Sequence, residues 1–190
     1  MVANKKKKYK RRNSSTGKIK YNAGGRKYSA GRITILGMMV AVAMIFSYIE
    51  SFIPINLAIP GIKLGLANIV TMIVLVEMGF KDAVIVSLIR VCLASLLFGN
   101  ISVMIYSLAG AAFSIIIMKL IETTKIFGVT GISICGGVAH NMGQLILAAV
   151  IMENQTIMGY APVLLISGTV AGIIIGLIAS IISRSVMLPK

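Results

Sequence analysis

The sequence predicts an all-α integral membrane protein, a six-helix transmembrane bundle behind a basic tail. Three observations carry this. Apolar residues make up 57% of the 190-residue chain and charged residues 13%, against about 45–50% and about 25% in an ordinary globular domain. Charge is also segregated: residues 1–32 hold 12 of the 19 Lys and Arg side chains and no acid, while residues 33–190 hold the other 7 and all 5 Asp and Glu. Finally, the chain after Arg32 divides into apolar runs near the roughly 20 residues that cross a bilayer. A water-soluble fold cannot cover its surface with so few charges. The composition excludes a soluble enzyme, a disulfide-stapled secreted module and a disordered chain.

Residues 1–32, with KKKKYKRR near their start, lack apolar periodicity and read as a disordered cytoplasmic tail. A polybasic run before a membrane helix is drawn to anionic lipid by about 1 kcal/mol per basic residue near the surface. The tail is therefore read as a topology anchor that touches lipid, with no specific nucleic acid as partner. Residues 33–187 form the transmembrane domain. Its spans fall at 33–50, 65–80, 82–98, 101–120, 129–152 and 160–183. The second and third are short and joined only by Phe80-Lys81-Asp82, so they form a tight hairpin, and Gly99-Asn100 makes an equally abrupt turn.

Orientation follows from the basic residues. With the N-terminus cytoplasmic, the tail, Lys81, Lys119, Lys125, Arg184 and Lys190 lie on the inner side, and only Lys63 on the outer. Both termini are expected in the cytoplasm and the chain in a bacterial plasma membrane. The one long outer connection, residues 51–64 (SFIPINLAIPGIKL), has Pro54, Pro60 and Gly61 to break helix yet stays apolar. It reads as a lid folded over the bundle. Cys92 and Cys135 fall inside different spans and have no metal-ligand spacing, so they read as packing residues, and no metal or cofactor is expected.

Small residues recur at four-residue spacing. Gly168, Gly172, Gly176 and Ser180 line the last span, Ser107, Gly110, Ala111 and Ser114 the fourth, and Gly37 and Ala41 the first. Such stripes let helices approach closely in lipid. Most are expected to serve packing within the chain, with Gly37 and Ala41 the best candidates for a partner membrane protein.

Polar groups inside a membrane are costly and should face the bundle interior. Asn68, Arg90, His140, Asn141 and Gln144 lie in the outer half of the spans, with Lys63 and Glu50 at the outer rim. Asn68 stands about 5 Å and Arg90 and Gln144 about 12 Å below the outer ends of their helices, at 1.5 Å per residue. His140 and Gln144 share a helix face. Their convergence beneath an apolar lid points to a pocket for a small ligand. Arg90 needs an anion, supplied either by Glu50 or by the ligand itself. Glu77 is expected at the inner interface.

The segments IPGIKLGLANIVTMIVL (59–75), SLIRVCLASLLFG (87–99) and AHNMGQLILAAVIM (139–152) resemble the small bacterial membrane proteins called Gx transporter family proteins, a family also described as heptaprenyl diphosphate synthase component I. The resemblance covers about residues 33–187. Such proteins are in turn similar to the substrate-binding S components of energy-coupling factor transporters. That likeness implies six helices, a first outer loop as lid, a ligand near the outer face, and docking on an energy-coupling transmembrane protein through small residues of the first helix, here Gly37 and Ala41.

The synthase label is tested against the residues. Prenyl synthases hold Mg²⁺ and diphosphate with aspartate-rich motifs, because hard cations need clustered carboxylates. This chain has a single Asp, Asp82. It has no nucleotide-binding GxxxxGK[ST] either, so any ATP drive must come from another chain. Two readings follow. One is a binding or transport component for a small anionic or amphipathic ligand, lined by Asn68, Arg90, His140, Asn141, Gln144 and Lys63. The other is a non-catalytic membrane subunit working with a soluble prenyl synthase subunit in menaquinone side-chain synthesis.

Overall fold

The computed structural model describes residues 30–52 and 65–185. The tail up to residue 29 and most of the expected lid, with Lys63, lie outside the described residues. Six α-helices are present, α1 (Ala30–Ser51), α2 (Leu66–Glu77), α3 (Phe80–Phe98), α4 (Ile101–Thr124), α5 (Val129–Ile151) and α6 (Ala161–Ser185), and a 3-10 turn (Gln155–Tyr160) leads into α6. No strand occurs among the described residues.

Four segments, Ala30–Ser51, Ile101–Thr124, Val129–Ile151 and Gln155–Ser183, are long and apolar enough to cross a membrane. The other two helices depart from the expected six spans for different reasons. The 12 residues of α2 give about 18 Å at 1.5 Å per residue, well short of a hydrocarbon core of about 30 Å. Helix α3 has 19 residues, but Lys81, Asp82 and Arg90 all lie within it.

Helices α2, α3, α4, α5 and α6 form a closed ring in that order, α6 returning to α2, while α1 packs across α2 and α3. Ala67, Ile69, Val70, Met72, Val74 and Leu75 of α2 are all buried, so α2 is the apolar axis of the core. Outward-facing side chains are apolar too, among them Met38, Leu96, Ile116, Ile166 and Ile181. A soluble monomer rarely exposes apolar patches beyond a few hundred Å², whereas a lipid-facing bundle is written this way.

The small-residue stripe of α6 is spent inside the chain. A Cβ added at Gly172 would lie 2.5 Å from Ile134 Cα, and one at Gly176 2.6 Å from Thr130 Cα. On the same seam a Cβ at Gly137 would lie 2.5 Å from the Gly168 carbonyl oxygen. Backbone meets backbone along α5 and α6, where packing drives association. Gly37 and Ala41 differ: both are exposed, and a Cβ at Gly37 would meet nothing within 4 Å.

Polar links close one end of the bundle. Arg32 pairs with Asp82, and its Nη2 also donates to the Met78 carbonyl at 3.3 Å. The sequence boundary put Arg32 in the tail and Asp82 in a cytoplasmic turn. Here α1 begins at Ala30, which carries Arg32 into its first turn, and Asp82 lies in the first turn of α3 with only 1% exposure. There it also complements the positive end of that helix. Nearby, Ser183 of α6 donates to Glu77 at the end of α2.

Candidate functional site

The ring encloses a cavity of about 70 Å³, displaced toward the end opposite Asp82, and every helix contributes to its wall. Asn68 comes from α2, Arg90 and Ser95 from α3, and Ser107 from α4. From α5 come His140, Asn141 and Gln144, from α6 Ser167, and from α1 Ser47 and Glu50. Of the six expected ligand residues, five therefore line one cavity, and Lys63 lies outside the described residues.

The wall is set by local structure. Gly65 opens α2 at φ 75°, a left-handed conformation in which glycine carries no Cβ penalty. A Cβ there would also lie 3.0 Å from Asn68 Nδ2 and 3.4 Å from Ile175 Cδ1. The Glu50 carboxylate accepts the Gly65 N–H, placing negative charge at the positive end of α2. This fastens the end of α1 to the start of α2 and aims Asn68 into the cavity.

Arg90 is 9% exposed. Its Nη2 donates to Asn68 Oδ1 at 3.0 Å, and its Nε is buried without a hydrogen-bond partner. Between the two counter-groups the sequence left open, Glu50 acts on Arg90 through its charge, but the hydrogen-bond partner is a neutral amide. Four of the five guanidinium N–H donors are thus without a protein acceptor among the described residues.

On the opposite wall, α4 and α5 lock His140 and Gln144 in place. A Cβ at Gly110 would come within 2.8 Å of Gln144 Cγ and 3.0 Å of His140 Cε1, so both side chains lie over the glycine. His140 Nδ1 is buried without a partner. Asn141 has another role: its Nδ2 donates to the Leu164 carbonyl at 3.0 Å and to Ser167 Oγ at 3.1 Å. It lines the cavity, yet its donors bind α5 to α6.

A smaller chamber of about 20 Å³ lies deeper, bounded by Asn68 and His140 and lined by the hydroxyls of Thr71, Ser87, Ser114 and Ser133. All four residues are buried, and Thr71 Oγ1 has no partner. The sequence reading missed these groups and the serines at 47, 95, 107 and 167. Their signal was visible as spacing: Ser107 and Ser114, taken there as part of a smooth seam, are seven residues apart and share the lumen face. Size alone does not tell a packing serine from a hydrogen-bonding one.

Among the described residues no three His, Cys, Asp or Glu side chains gather to hold a metal. The molecule is thus an all-helical bundle built for a membrane, with a buried polar cavity in its lumen. The chain belongs to the family described as heptaprenyl diphosphate synthase component I, whose model matches residues 39–182. Neither a curated protein nor a solved structure matches it.

Proposed function

We propose that this chain is the membrane-embedded substrate-binding component of a transport system, resembling the S components of energy-coupling factor transporters. It sits in a bacterial plasma membrane with both termini cytoplasmic, takes a small ligand from the outer side, and uses residues 51–64 as the lid. One observation carries the reading: Arg90 is buried at a cavity lined from all six helices, with its Nε unpartnered. Leaving a buried donor unsatisfied costs about 1–3 kcal/mol, more for a charged group, and a bound ligand removes that cost. The exposed Gly37–Ala41 face of α1 is the docking surface for the energy-coupling partner, whose separate ATPases supply the drive. The test is to purify the protein in mild detergent beside Arg90→Ala and identify co-purifying small molecules by mass spectrometry. A defined molecule present in the wild type and lost in the variant is expected, and an empty cavity in both counts against the reading.

A second reading rests on the family's description. In it the chain is a non-catalytic membrane subunit beside a soluble prenyl synthase subunit. Retention of such a subunit on the purified protein, with no small molecule, is its distinguishing result.

A further inference from the structure

Building on the ligand-binding reading above, we infer that the cavity takes a small monocarboxylate whose other groups are uncharged and hydrogen-bonding, and that it takes neither a diphosphate nor a prenyl chain. Charge comes first. Arg90 is the one Lys or Arg on the described wall, and the wall also carries the Glu50 carboxylate. A single guanidinium balances one negative charge. A diphosphate carries several, and proteins meet it with multiple cations or with Mg²⁺ on clustered carboxylates. Neither arrangement occurs among the described residues.

Geometry and charge together narrow the anion. The Asn68 amide occupies one donor at Nη2, and Nε remains unpartnered. A guanidinium edge offering parallel N–H groups pairs two-pronged with a planar carboxylate or a phosphate, and one balanced charge selects the carboxylate, since a phosphate monoester carries about 1.5–2.

The deeper chamber describes the rest of the ligand. Thr71, Ser87, Ser114 and Ser133 are 3%, 2%, 7% and 4% exposed, and their hydroxyls make no hydrogen bond within the described protein. A hydrocarbon pressed against them would leave every one unsatisfied. Hydroxyl or amide groups of a ligand satisfy them, directly or through a bridging water. Size agrees. Chambers of about 70 and 20 Å³ are far below the roughly 300–1,000 Å³ of pockets for drug-sized ligands, and among the described residues no tunnel for a polyprenyl tail leads from them.

The experiment uses the full chain in detergent. Co-purifying molecules are extracted and identified, and thermal shift is then titrated with glycerate, gluconate, hexanoate, inorganic pyrophosphate and farnesyl diphosphate. We expect an extracted molecule with one carboxylate and several hydroxyl or amide groups. Glycerate or gluconate should bind at least tenfold more tightly than hexanoate, and the two diphosphates should give no shift. Thr71→Val and Ser87→Ala, near-isosteric changes that keep the fold, should each weaken that binding about three- to tenfold while the size-exclusion profile stays unchanged. An extracted diphosphate or hydrocarbon-tailed ligand, or a shift with farnesyl diphosphate that Arg90→Ala removes, overturns the ligand class and leaves the binding reading standing. Equal affinity for gluconate and hexanoate, or unaltered binding in both hydroxyl variants, overturns it too. No extracted molecule and no shift with any probe overturns both.

Discussion

Replacing Gly172 by alanine, compared with the same replacement at Gly37, measures how tightly α5 and α6 are joined. At Gly172 the new Cβ would stand 2.5 Å from Ile134 Cα, 2.8 Å from the Ser133 carbonyl oxygen and 3.0 Å from Ile134 N. Favourable carbon–carbon separations are about 3.5–4.0 Å. The helices must therefore part by about 1 Å, because every obstacle is backbone and no side chain can swing away. At Gly37 nothing lies within 4 Å. Both changes gain the same helix propensity, about 1 kcal/mol, which cancels in the comparison. What remains is overpacking, about 1–3 kcal/mol. At about 2–4 °C per kcal/mol for a chain of this size, thermal unfolding in detergent should put Gly172→Ala roughly 2–12 °C below Gly37→Ala. Equal midpoints would show that the seam is slack. The placement of the cavity wall would then lose its support, since Gly137 and Gly168 line the cavity on that same seam.

Other perturbations separate structural from ligand roles. Asp82→Asn removes the negative charge that pairs with Arg32, whose side chain is 11% exposed and still donates to the Met78 carbonyl, and should cost about 1.5–3 kcal/mol in denaturant unfolding; an Arg32→Met, Asp82→Leu double variant should recover most of that. Gly65→Ala must hold alanine at φ 75°, a strain of about 1–2 kcal/mol, and should weaken ligand binding as well, because its Cβ crowds the Asn68 amide that holds Arg90. Thr71→Val removes a buried hydroxyl without a partner, so the ligand-free protein should gain about 1 kcal/mol even as affinity falls. Asn141→Ala should lower the unfolding midpoint by the equivalent of about 1 kcal/mol and change affinity little, because both of its donor contacts go to α6.

The helical architecture was legible because hydropathy and charge segregation act over long windows. Helix starts or ends at Gly65, Gly79, Gly99, Asn100 and Gly128 agree with the chain's own punctuation. Gly99-Asn100, for instance, ends α3 and caps α4, the Asn100 side chain accepting from Val103 N at 2.8 Å. The polar cluster was legible for a related reason: buried amides, Arg and His in apolar runs have few places to go but one lumen. Which of them touch each other was not. Local spacing cannot show that Arg90 meets Asn68 from across 22 residues, or that Asn141 turns toward α6. Arg32 was read with the tail because a basic side chain beside a basic tail looks like more tail until its acid partner, 50 residues on, is brought beside it.

The brevity of α2 has a consequence for how the molecule is made. A helix of 12 residues, nine of them apolar, is too short to be held in a bilayer as an independent span. It must enter with α3 as a hairpin, turned at Gly79 where φ is 103°. Even then one flank stays bare until α6, the last of the described helices, closes against it. A nascent chain stopped after α5 therefore has an open-sided lumen, with Arg90 and the interior hydroxyls facing lipid. The cavity wall is complete only once α6 has joined.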